Sequence, residues 1–440
     1  MNNPITRLFR KIISLTGVIF VTLVGVSTNM HASKPEASVP NTAYFSNNDV
    51  LTDPLNRISS EFKISANLQK RTAFWFDIYT KYGSQEHIIH HSRYPWIVYK
   101  VIDVSPILNS GEHRWTKHHK AEKAVINSRK IVSAVLRRLA NKKNYRILSK
   151  EEREYFNLLS QVKGSRHKVF KEAYNNVRIQ LGQKDFFRSG LVSGARYLSA
   201  IEKEFADNNL PTDLSRLPFV ESSFNIKAQS KVGASGVWQL MPSVGNYYLL
   251  INDHIDERNS PLKASLVAIE LFKRNYRSLR SWPLTVTAYN HGATGVHRAL
   301  RAAKATNLSS LINSGHRGSF RFASANFFSS FLAVLHAEKY NREIFQVDLS
   351  ASIPPIKYHI IALQKPMRAR SLLAQVGMSS DRLLEYNLDL NKALSSNALL
   401  PRGYRLILPA DIRALLKKNI TNSTDRFRDA SLTLKVKTSG

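Results

Sequence analysis

Glu221 is the residue whose surroundings most strongly suggest acid–base chemistry. Leu214 and Leu217 precede it by seven and four positions, so in a helix all three side chains share the face that a globular domain turns inward. Apolar surroundings disfavour the charged carboxylate and raise its pKa, as a general acid working near neutral pH requires. Glu221 is therefore our candidate catalytic acid. The alternative is a half-exposed glutamate at a helix end with no chemical role.

The segment that follows the candidate acid contains the components of a sugar groove. Gly233 and Gly236 allow a backbone to approach a ligand closely. Trp238 offers a stacking face, Gln239 an amide and Met241 a soft apolar surface. We therefore expect a carbohydrate to bind beside the acid.

A second polar pair follows at the end of an apolar helix. Tyr289 and Asn290 precede Gly292, and a glycine commonly ends a helix. A phenol and an amide at such an end can point into a cleft. The alternative for Tyr289 is a core tyrosine whose hydroxyl is satisfied internally.

Prolines indicate how the helices that carry these residues begin. Pro211, Pro261 and Pro283 each stand near the first turn of a predicted helix, where a missing N–H is tolerated. Pro218 falls inside a helical pattern and predicts a kink just before Glu221. The pattern indicates a compact all-α domain over residues 196–345.

The first 32 residues are typical of an export signal. Arg7, Arg10 and Lys11 precede an apolar run from Ile12 to Val26, and cleavage is expected after Ala32 or near Ser27. The run is short for a membrane span, so a removed signal is favoured over an uncleaved anchor. The chain has no Cys, which excludes a lipoprotein. We expect an exported protein of the periplasm or cell envelope.

Residues 33–66 are rich in Pro, Asn and Ser and are predicted to form a linker. Residues 67–195 then form a mainly helical accessory region with one small hairpin, over His87–His90 and Trp96–Ile102, and no assigned chemistry. Its helical pattern continues through Val177. Ser149 and Glu152 match a capping box. The histidines of this region lack metal-ligand spacing and are interpreted as a surface cluster, so no metal is expected.

Residues 356–410 have strand-like ends, Tyr358–Ile361 and Arg405–Leu408, around two short helical patterns. This order predicts a small βααβ module. Residues 411–440 are basic and predicted to be a frayed tail.

Four motifs in this order resemble the lytic transglycosylase domain of the goose-type-lysozyme-like superfamily, in its membrane-bound type-D branch: ESSFN (221–225), AxSxxGAxGxWQLMP (228–242), DERxSP (256–261) and AYNxGxxGV (288–296). The resemblance implies that Glu221 is the single acid and base and that Ser230 and Tyr289 hold its carboxyl group. It also implies that Gln239 and Met241 contact an N-acetyl sugar. The expected substrate-binding residues are Ser222, Ser230, Trp238, Gln239, Met241, Tyr289 and Asn290.

The implied reaction cuts peptidoglycan between N-acetylmuramic acid and N-acetylglucosamine without water and without a cofactor, leaving a 1,6-anhydro sugar. Asp256 and Glu257 are interpreted as loop-capping residues that pair with Arg258. The C-terminal module resembles a LysM binder of N-acetylglucosamine chains, although Gln364-Lys365-Pro366 replaces the family's first-loop Gly-Asp-Thr.

The charge of the chain indicates an anionic partner. The sequence contains 64 Lys and Arg residues but only 32 Asp and Glu residues, which gives a net charge of +32. The expected partner is the peptidoglycan glycan strand, with membrane or outer-membrane association and no nucleic acid. Two alternatives remain open at this point. One is a hydrolytic muramidase of the same fold, and the other is a non-catalytic basic protein that binds the wall or nucleic acid.

Overall fold

The computed structural model describes residues 47–315, 318–346, 348, 353–411 and 427–431, so the predicted signal segment lies outside the described residues. The α-helices are α1 Asn47–Val50, α2 Gln69–Thr80, α3 Ser105–Leu108, α4 Arg114–Asn141, α5 Lys150–Leu158, α6 Arg166–Asn175, α7 Lys184–Asp207, α8 Leu217–Ser222, α9 Pro242–Tyr248, α10 Pro261–Leu279, α11 Trp282–His291, α12 Ala293–Ala303, α13 Leu308–Asn313, α14 Phe322–Lys339, α15 Asn341–Phe345, α16 Ala369–Val376, α17 Ser380–Leu384 and α18 Asn391–Ser395. The strands are β1 Glu86–His91, β2 Val98–Asp103, β3 Val177–Leu181, β4 Tyr358–Leu363, β5 Met367–Arg368, β6 Leu399–Leu400, β7 Arg405–Pro409 and β8 Phe427–Ala430.

The fold is mainly α, as predicted, and the described chain divides into two compact units. The first contains residues 47–188 and Trp282–Gln346, and the second contains Ser189–Ser281 and the C-terminal described residues. In the part of the chain that the structure describes, no helix is long and apolar enough to span a bilayer.

In the first unit, α2 packs along the almost completely buried α14. The buried Arg71 guanidinium and the Trp75 indole both donate to Asn326 Oδ1, over 2.7 and 3.1 Å. Tyr79 and Ser330 share a further buried hydrogen bond of 2.8 Å. Because a buried donor without an acceptor is costly, these bonds fix the register of the two helices.

The accessory region contains a three-stranded antiparallel sheet in the order β2-β1-β3. The predicted hairpin is present, but the helical interpretation of Val177 was wrong, because residues 177–181 form the third strand and pair with β1. The capping box of Ser149 and Glu152 is present at α5. An alternating pattern of only five residues is easily absorbed into a neighbouring helical pattern.

The surface-cluster interpretation of the histidines was wrong for His90 and His91, which are 0% and 1% exposed. The His90 ring lies 4.8 Å from the Phe74 ring. Burial and the nearby positive charge of Arg178 lower the pKa of His90 to about 3. Neutral histidines of this kind contribute to the core.

The linker prediction was wrong for the described residues 47–62, which fold onto the first unit. Val50, Ile58 and Phe62 are buried, and the Phe62 ring lies 5.2 Å from Phe331. The buried Asp53 carboxylate accepts the Tyr340 hydroxyl. Scattered apolar anchors of this kind leave no periodic signal among prolines and polar residues.

In the second unit, the predicted strands at both ends of the C-terminal segment are β4 and β7, and the two predicted helices are α16 and α17. The βααβ prediction missed β5, α18 and β6, which also belong to this segment. The Asn387 side chain pairs with strand β7 by accepting Ile407 N–H over 2.9 Å and donating to Ile407 O. The tail prediction was wrong for Phe427–Ala430, which form β8 and pair with β4 in the order β7-β4-β8. An edge strand satisfies backbone groups that β4 would otherwise expose.

This C-terminal segment shares a core with the rest of the second unit instead of being tethered beside it. Ile255 belongs to the same buried cluster as Leu372, Leu383 and Leu406. A segment with a shared core loses buried apolar area when it separates.

A buried ion network also joins helix α10 to the C-terminal segment. Lys263 Nζ lies 2.7 Å from Asp389 Oδ2 and 3.0 Å from Glu257 Oε1, and it donates to the Tyr404 hydroxyl over 3.0 Å. Burial alone lowers the pKa of Lys263, but the two carboxylates outweigh it and raise the pKa. The lysine is therefore a charged ammonium held inside the protein.

We expect Lys263→Ala to lower the free energy of unfolding by about 3–5 kcal/mol, because Asp389 would stay buried without its cation. Lys203→Ala is the matched control, since Lys203 pairs with Asp207 on the exposed surface of α7 and should have little effect. Urea unfolding of both variants measures the difference. A similarly small loss of unfolding free energy in both variants would show that the Lys263 network is not shielded from water.

Candidate active site

Glu221 lies one residue before the end of the short helix α8. A 3₁₀ helix, Thr212–Arg216, leads directly into α8. The predicted kink at Pro218 was wrong, because Pro218 is the second residue of a new helix, where no N–H partner is needed. The residue that follows the helix, Ser223, has a left-handed backbone with φ 49°.

The turn after α8 packs closely on helix α7 through two glycines. A Cβ atom at Gly190 would lie 2.3 Å from Ser223 O, and one at Gly194 would lie 3.1 Å from the Phe224 ring. Ser193 Oγ also donates to Phe224 O over 2.8 Å. Both glycines lie outside the four motifs and were not predicted. Their spacing of four residues, on one face of the helix, is nevertheless a detectable signal of close packing.

The Glu221 carboxyl group combines partial exposure with strong desolvation. The side chain is neither buried nor fully exposed, yet burial of the carboxyl among protein atoms raises its pKa to about 8. No charged group in the part of the chain that the structure describes contributes to this shift. The carboxyl is therefore protonated at neutral pH and still reachable, which is the state that a general acid needs.

The first wall of the site is the loop after α8. Ser222 Oγ donates to Val237 O over 2.9 Å and to Pro218 O over 3.1 Å, and the side chain is 6% exposed. Ser222 thus ties helix α8 to the loop, and its predicted contact with substrate stays a prediction. Ser230 Oγ accepts Ala234 N–H over 2.8 Å. Its predicted hydrogen bond to Glu221 stays a prediction.

The prediction that Trp238 stacks on a sugar was wrong. Its ring is 0% exposed, lies 5.9 Å from the Phe205 ring, and donates Nε1–H to Ser265 Oγ over 2.8 Å. A buried indole whose N–H is satisfied is a core residue. It anchors the loop to helices α7 and α10.

Gln239 and Met241 follow in the same loop with different exposure. Gln239 has a left-handed backbone with φ 46° and donates Nε2–H to Gly236 O over 2.8 Å. Its Oε1 atom is buried without a hydrogen-bond partner in the described part of the chain. Met241 is 41% exposed. The loop thus offers an unused acceptor and an apolar contact surface.

Arg258 holds this loop from the opposite side. Its guanidinium pairs with Asp256 over 2.7 Å and donates to Gly233 O and Leu240 O over 2.7 and 3.0 Å. A Cβ atom at Gly236 would lie 1.8 Å from Arg258 O. The pairing predicted between Asp256 and Arg258 is confirmed.

Glu257 has a different role from the one predicted. Its carboxylate pairs with Lys263 and accepts Leu250 N–H over 2.8 Å, so its predicted pairing with Arg258 was wrong. The acidic side chain therefore belongs to the buried network of α10.

Tyr289 and Asn290 lie in the first unit, near the end of α11. Tyr289 is partly buried and Asn290 is exposed, so Asn290 has the accessibility that a ligand requires. The Asn290 Oδ1 atom accepts the Ser324 hydroxyl at 3.4 Å, and Ser324 Oγ also lies 2.9 Å from His291 Nδ1. Gly292 follows with φ 76° and ends the helix.

Residues 199–312 match the family model described as "Transglycosylase SLT domain". This part of the chain is thus similar to transglycosylase SLT domains. The chain is also similar to the Membrane-bound lytic murein transglycosylase D of Escherichia coli strain K12, with 33% identity over 127 residues. The protein of the same name from strain CFT073 matches equally well.

A third relative is the Putative tributyltin chloride resistance protein of Alteromonas sp. strain M-1, with 32% identity over 110 residues. The matches cover 28% and 24% of this chain, and 28% of the transglycosylase and 53% of the Alteromonas protein. The chain thus spans between a quarter and about half the length of these curated relatives.

We expect Gly236→Ala to destabilise the protein more than Gly292→Ala. Both glycines have similar positive φ values, 74° and 76°, but a Cβ atom meets nothing within 4 Å at Gly292. A positive φ strains an alanine at both positions, and the clash with the Arg258 carbonyl oxygen should add roughly another 1–3 kcal/mol at Gly236 alone. Urea unfolding of both variants measures the difference. Equal losses in the free energy of unfolding would mean that the backbone at Arg258 moves aside without destabilising the protein.

The pKa of Glu221 also predicts a pH-dependent stability. Between the ordinary value of 4.5 and about 8 the folded state holds a proton that the unfolded state has lost, so stability falls as pH rises through this window. Glu221→Gln removes this dependence and should gain stability over the native chain from about pH 5 to about pH 9. Urea unfolding of both proteins at each pH tests this. A difference that is constant with pH would contradict the raised pKa.

Proposed function

We propose that this protein is a peptidoglycan lytic transglycosylase in which Glu221 is the single acid and base. The SLT match and the murein transglycosylase relatives support the enzyme class. The observation that carries the mechanism is the Glu221 pKa of about 8, reached by desolvation alone.

The proposed reaction uses one carboxyl group in two proton transfers. Protonated Glu221 gives its proton to the oxygen between N-acetylmuramic acid C1 and N-acetylglucosamine, and the C1–O bond breaks. The C6 hydroxyl oxygen of the muramic acid then closes on C1, and its proton returns to Glu221. No water is consumed and the carboxyl group ends in its starting state.

The electrostatics of Glu221 favour this route over a two-carboxylate hydrolysis. Retaining glycosidases place a second carboxylate about 5–5.5 Å from the first, and its negative charge would raise the pKa of the acid further. The Glu221 pKa contains no such contribution from the described residues. A nucleophile that belongs to the substrate removes the need for that second group.

Gln239 and Met241 supply the proposed contact with the N-acetyl group. The buried Gln239 Oε1 atom lacks a partner among the described residues, and an acetamido N–H can satisfy it once the Gln239 side chain shifts toward the surface. The exposed Met241 side chain suits the acetyl methyl group. We propose Tyr289, Asn290 and Ser230 as further substrate-binding residues by their motif positions alone.

The remaining assignments concern where the protein works and what else it binds. The apolar N-terminal run and the name of the membrane-bound relatives support an exported envelope protein associated with the wall or a membrane. The strands β4 and β7 at the ends of the segment, with short helices between them, support a LysM-like glycan binder over residues 356–410.

We expect Glu221→Gln to abolish nearly all cleavage of purified peptidoglycan while the protein stays folded, because the amide cannot transfer the proton. Glu270→Gln is the matched control, since Glu270 is a partly exposed glutamate of α10 and should keep full activity. The native rate should fall above about pH 8, where the acid loses its proton. Cleavage by folded Glu221→Gln would remove Glu221 from the mechanism.

Mass spectrometry of the native products distinguishes the two chemistries in the same experiment. Anhydro ends support the lytic route, and reducing ends would show a hydrolytic muramidase instead. Intact peptidoglycan after treatment with the folded native protein would support the third alternative, a non-catalytic binder.

A further inference from the structure

A shallow groove of about 360 Å³ lies on the accessory region in the first unit. We call it the basic groove, and it is lined by Ile126, Arg129, Lys130, Ser133, Ala134, Arg137 and Tyr174. All but Tyr174 belong to α4, which carries eight Lys or Arg and a single acidic residue, Glu122. Neither the SLT match nor the proposed reaction uses this surface.

The cations of the basic groove have no counter-charge within the ranges that the structure describes. Arg129, Lys130 and Arg137 are exposed, and none of the three forms an ion pair within the described residues. The adjacent Arg138, by contrast, pairs with Glu151 and Glu152. Acidic residues are thus available nearby but leave the groove positive.

The spacing of the groove residues suits an extended anionic chain. Arg129, Ser133 and Arg137 recur every four residues and share one helix face. A rise of 1.5 Å per residue separates the two guanidinium-bearing positions by about 12 Å along the axis. Each guanidinium can hold a carboxylate in a bidentate pair, and Ser133 adds a hydroxyl between them.

A second positive charge, that of Arg178, makes the binding of an anion at Arg129 more favourable. Arg178, on β3, is partly buried with its guanidinium 3.9 Å from the centre of the Phe322 ring. Burial and then the positive charge of Arg129 lower the pKa of Arg178 to about 10. An anion beside Arg129 relieves this repulsion, so the site is better matched to a bound negative charge than to solvent alone.

We propose that the basic groove binds the carboxylate groups of an acidic peptide chain, of the kind that peptidoglycan carries beside its glycan strand. This inference rests on the proposed function for the identity of the polymer. The walls combine cations with the apolar surfaces of Ile126, Ala134 and Tyr174, which suits a peptide. Sequence-tolerant nucleic-acid binding uses successive exposed aromatic rings, and Tyr174 is the single aromatic residue that lines the groove. Adsorption to a lipid surface uses a broad apolar face, which this concave groove lacks.

Binding of a labelled oligoglutamate peptide to the full chain tests the proposal by fluorescence anisotropy. Arg129→Gln/Lys130→Gln/Arg137→Gln should weaken binding about tenfold or more, because it removes the paired cations. Arg146→Gln/Lys150→Gln/Arg153→Gln removes the same residue types from exposed positions outside the groove and should change affinity by less than about twofold. An oligoglutamine peptide should not bind.

Two outcomes would overturn the proposal. Equal weakening in both triple variants would mean that diffuse charge attracts the peptide and that the groove adds nothing. If the groove variant instead lost binding to a single-stranded oligonucleotide or to phosphatidylglycerol vesicles while keeping oligoglutamate, the groove would serve a phosphate-bearing partner.

A second comparison separates this inference from the proposed function. The groove variant should cleave peptide-free glycan strands as fast as the native chain but cleave peptide-bearing peptidoglycan more slowly. A native chain that cleaves neither substrate but binds oligoglutamate through the groove would contradict the proposed function and leave the peptide site standing. Equal rates of both proteins on peptide-bearing substrate would show that the groove plays no part in catalysis.

Discussion

The candidate site depends on keeping one carboxyl group protonated without help from any neighbouring charge. Desolvation achieves this for Glu221 and raises its pKa to about 8, but a desolvated carboxyl must still be accessible to a polymer. Placing the acid near the end of a short helix meets both requirements. Helix α8 is only six residues long, so its position is fixed by contacts outside the helix, since such a short helix is not stable alone.

Those contacts form a set of close backbone approaches around α8. Gly190 and Gly194 admit the following turn, Ser222 ties the helix to the loop, and Gly236 admits the backbone at Arg258. Trp238 and the Arg258 guanidinium then anchor the loop from inside. Apart from the candidate acid Glu221, several residues of the motif segment therefore hold the loop in place, whereas Met241 is exposed.

Residue spacing in the sequence was sufficient to predict the helical fold class, to single out the candidate acid Glu221 and to locate the strands at both ends of the segment 356–410. It was not sufficient to place Trp238 in the core, since a motif does not tell which side of a loop faces the core. Strand β3 and the folded residues 47–62 were missed for another reason. Their stabilising contacts, such as that of Phe62 with Phe331, join positions far apart in the chain and leave no local period.

The buried network around Lys263 has a consequence for how this chain can change over evolutionary time. Small glycan-binding segments are easily exchanged between proteins when they end at a solvated linker. Here Asp389 and Tyr404 are matched to Lys263 and Glu257, which lie far upstream. A recombination event that replaced residues 356–410 alone would strand a buried ammonium beside an unrelated surface. An exchanged segment would therefore need residues that pair with Lys263 as Asp389 and Tyr404 do.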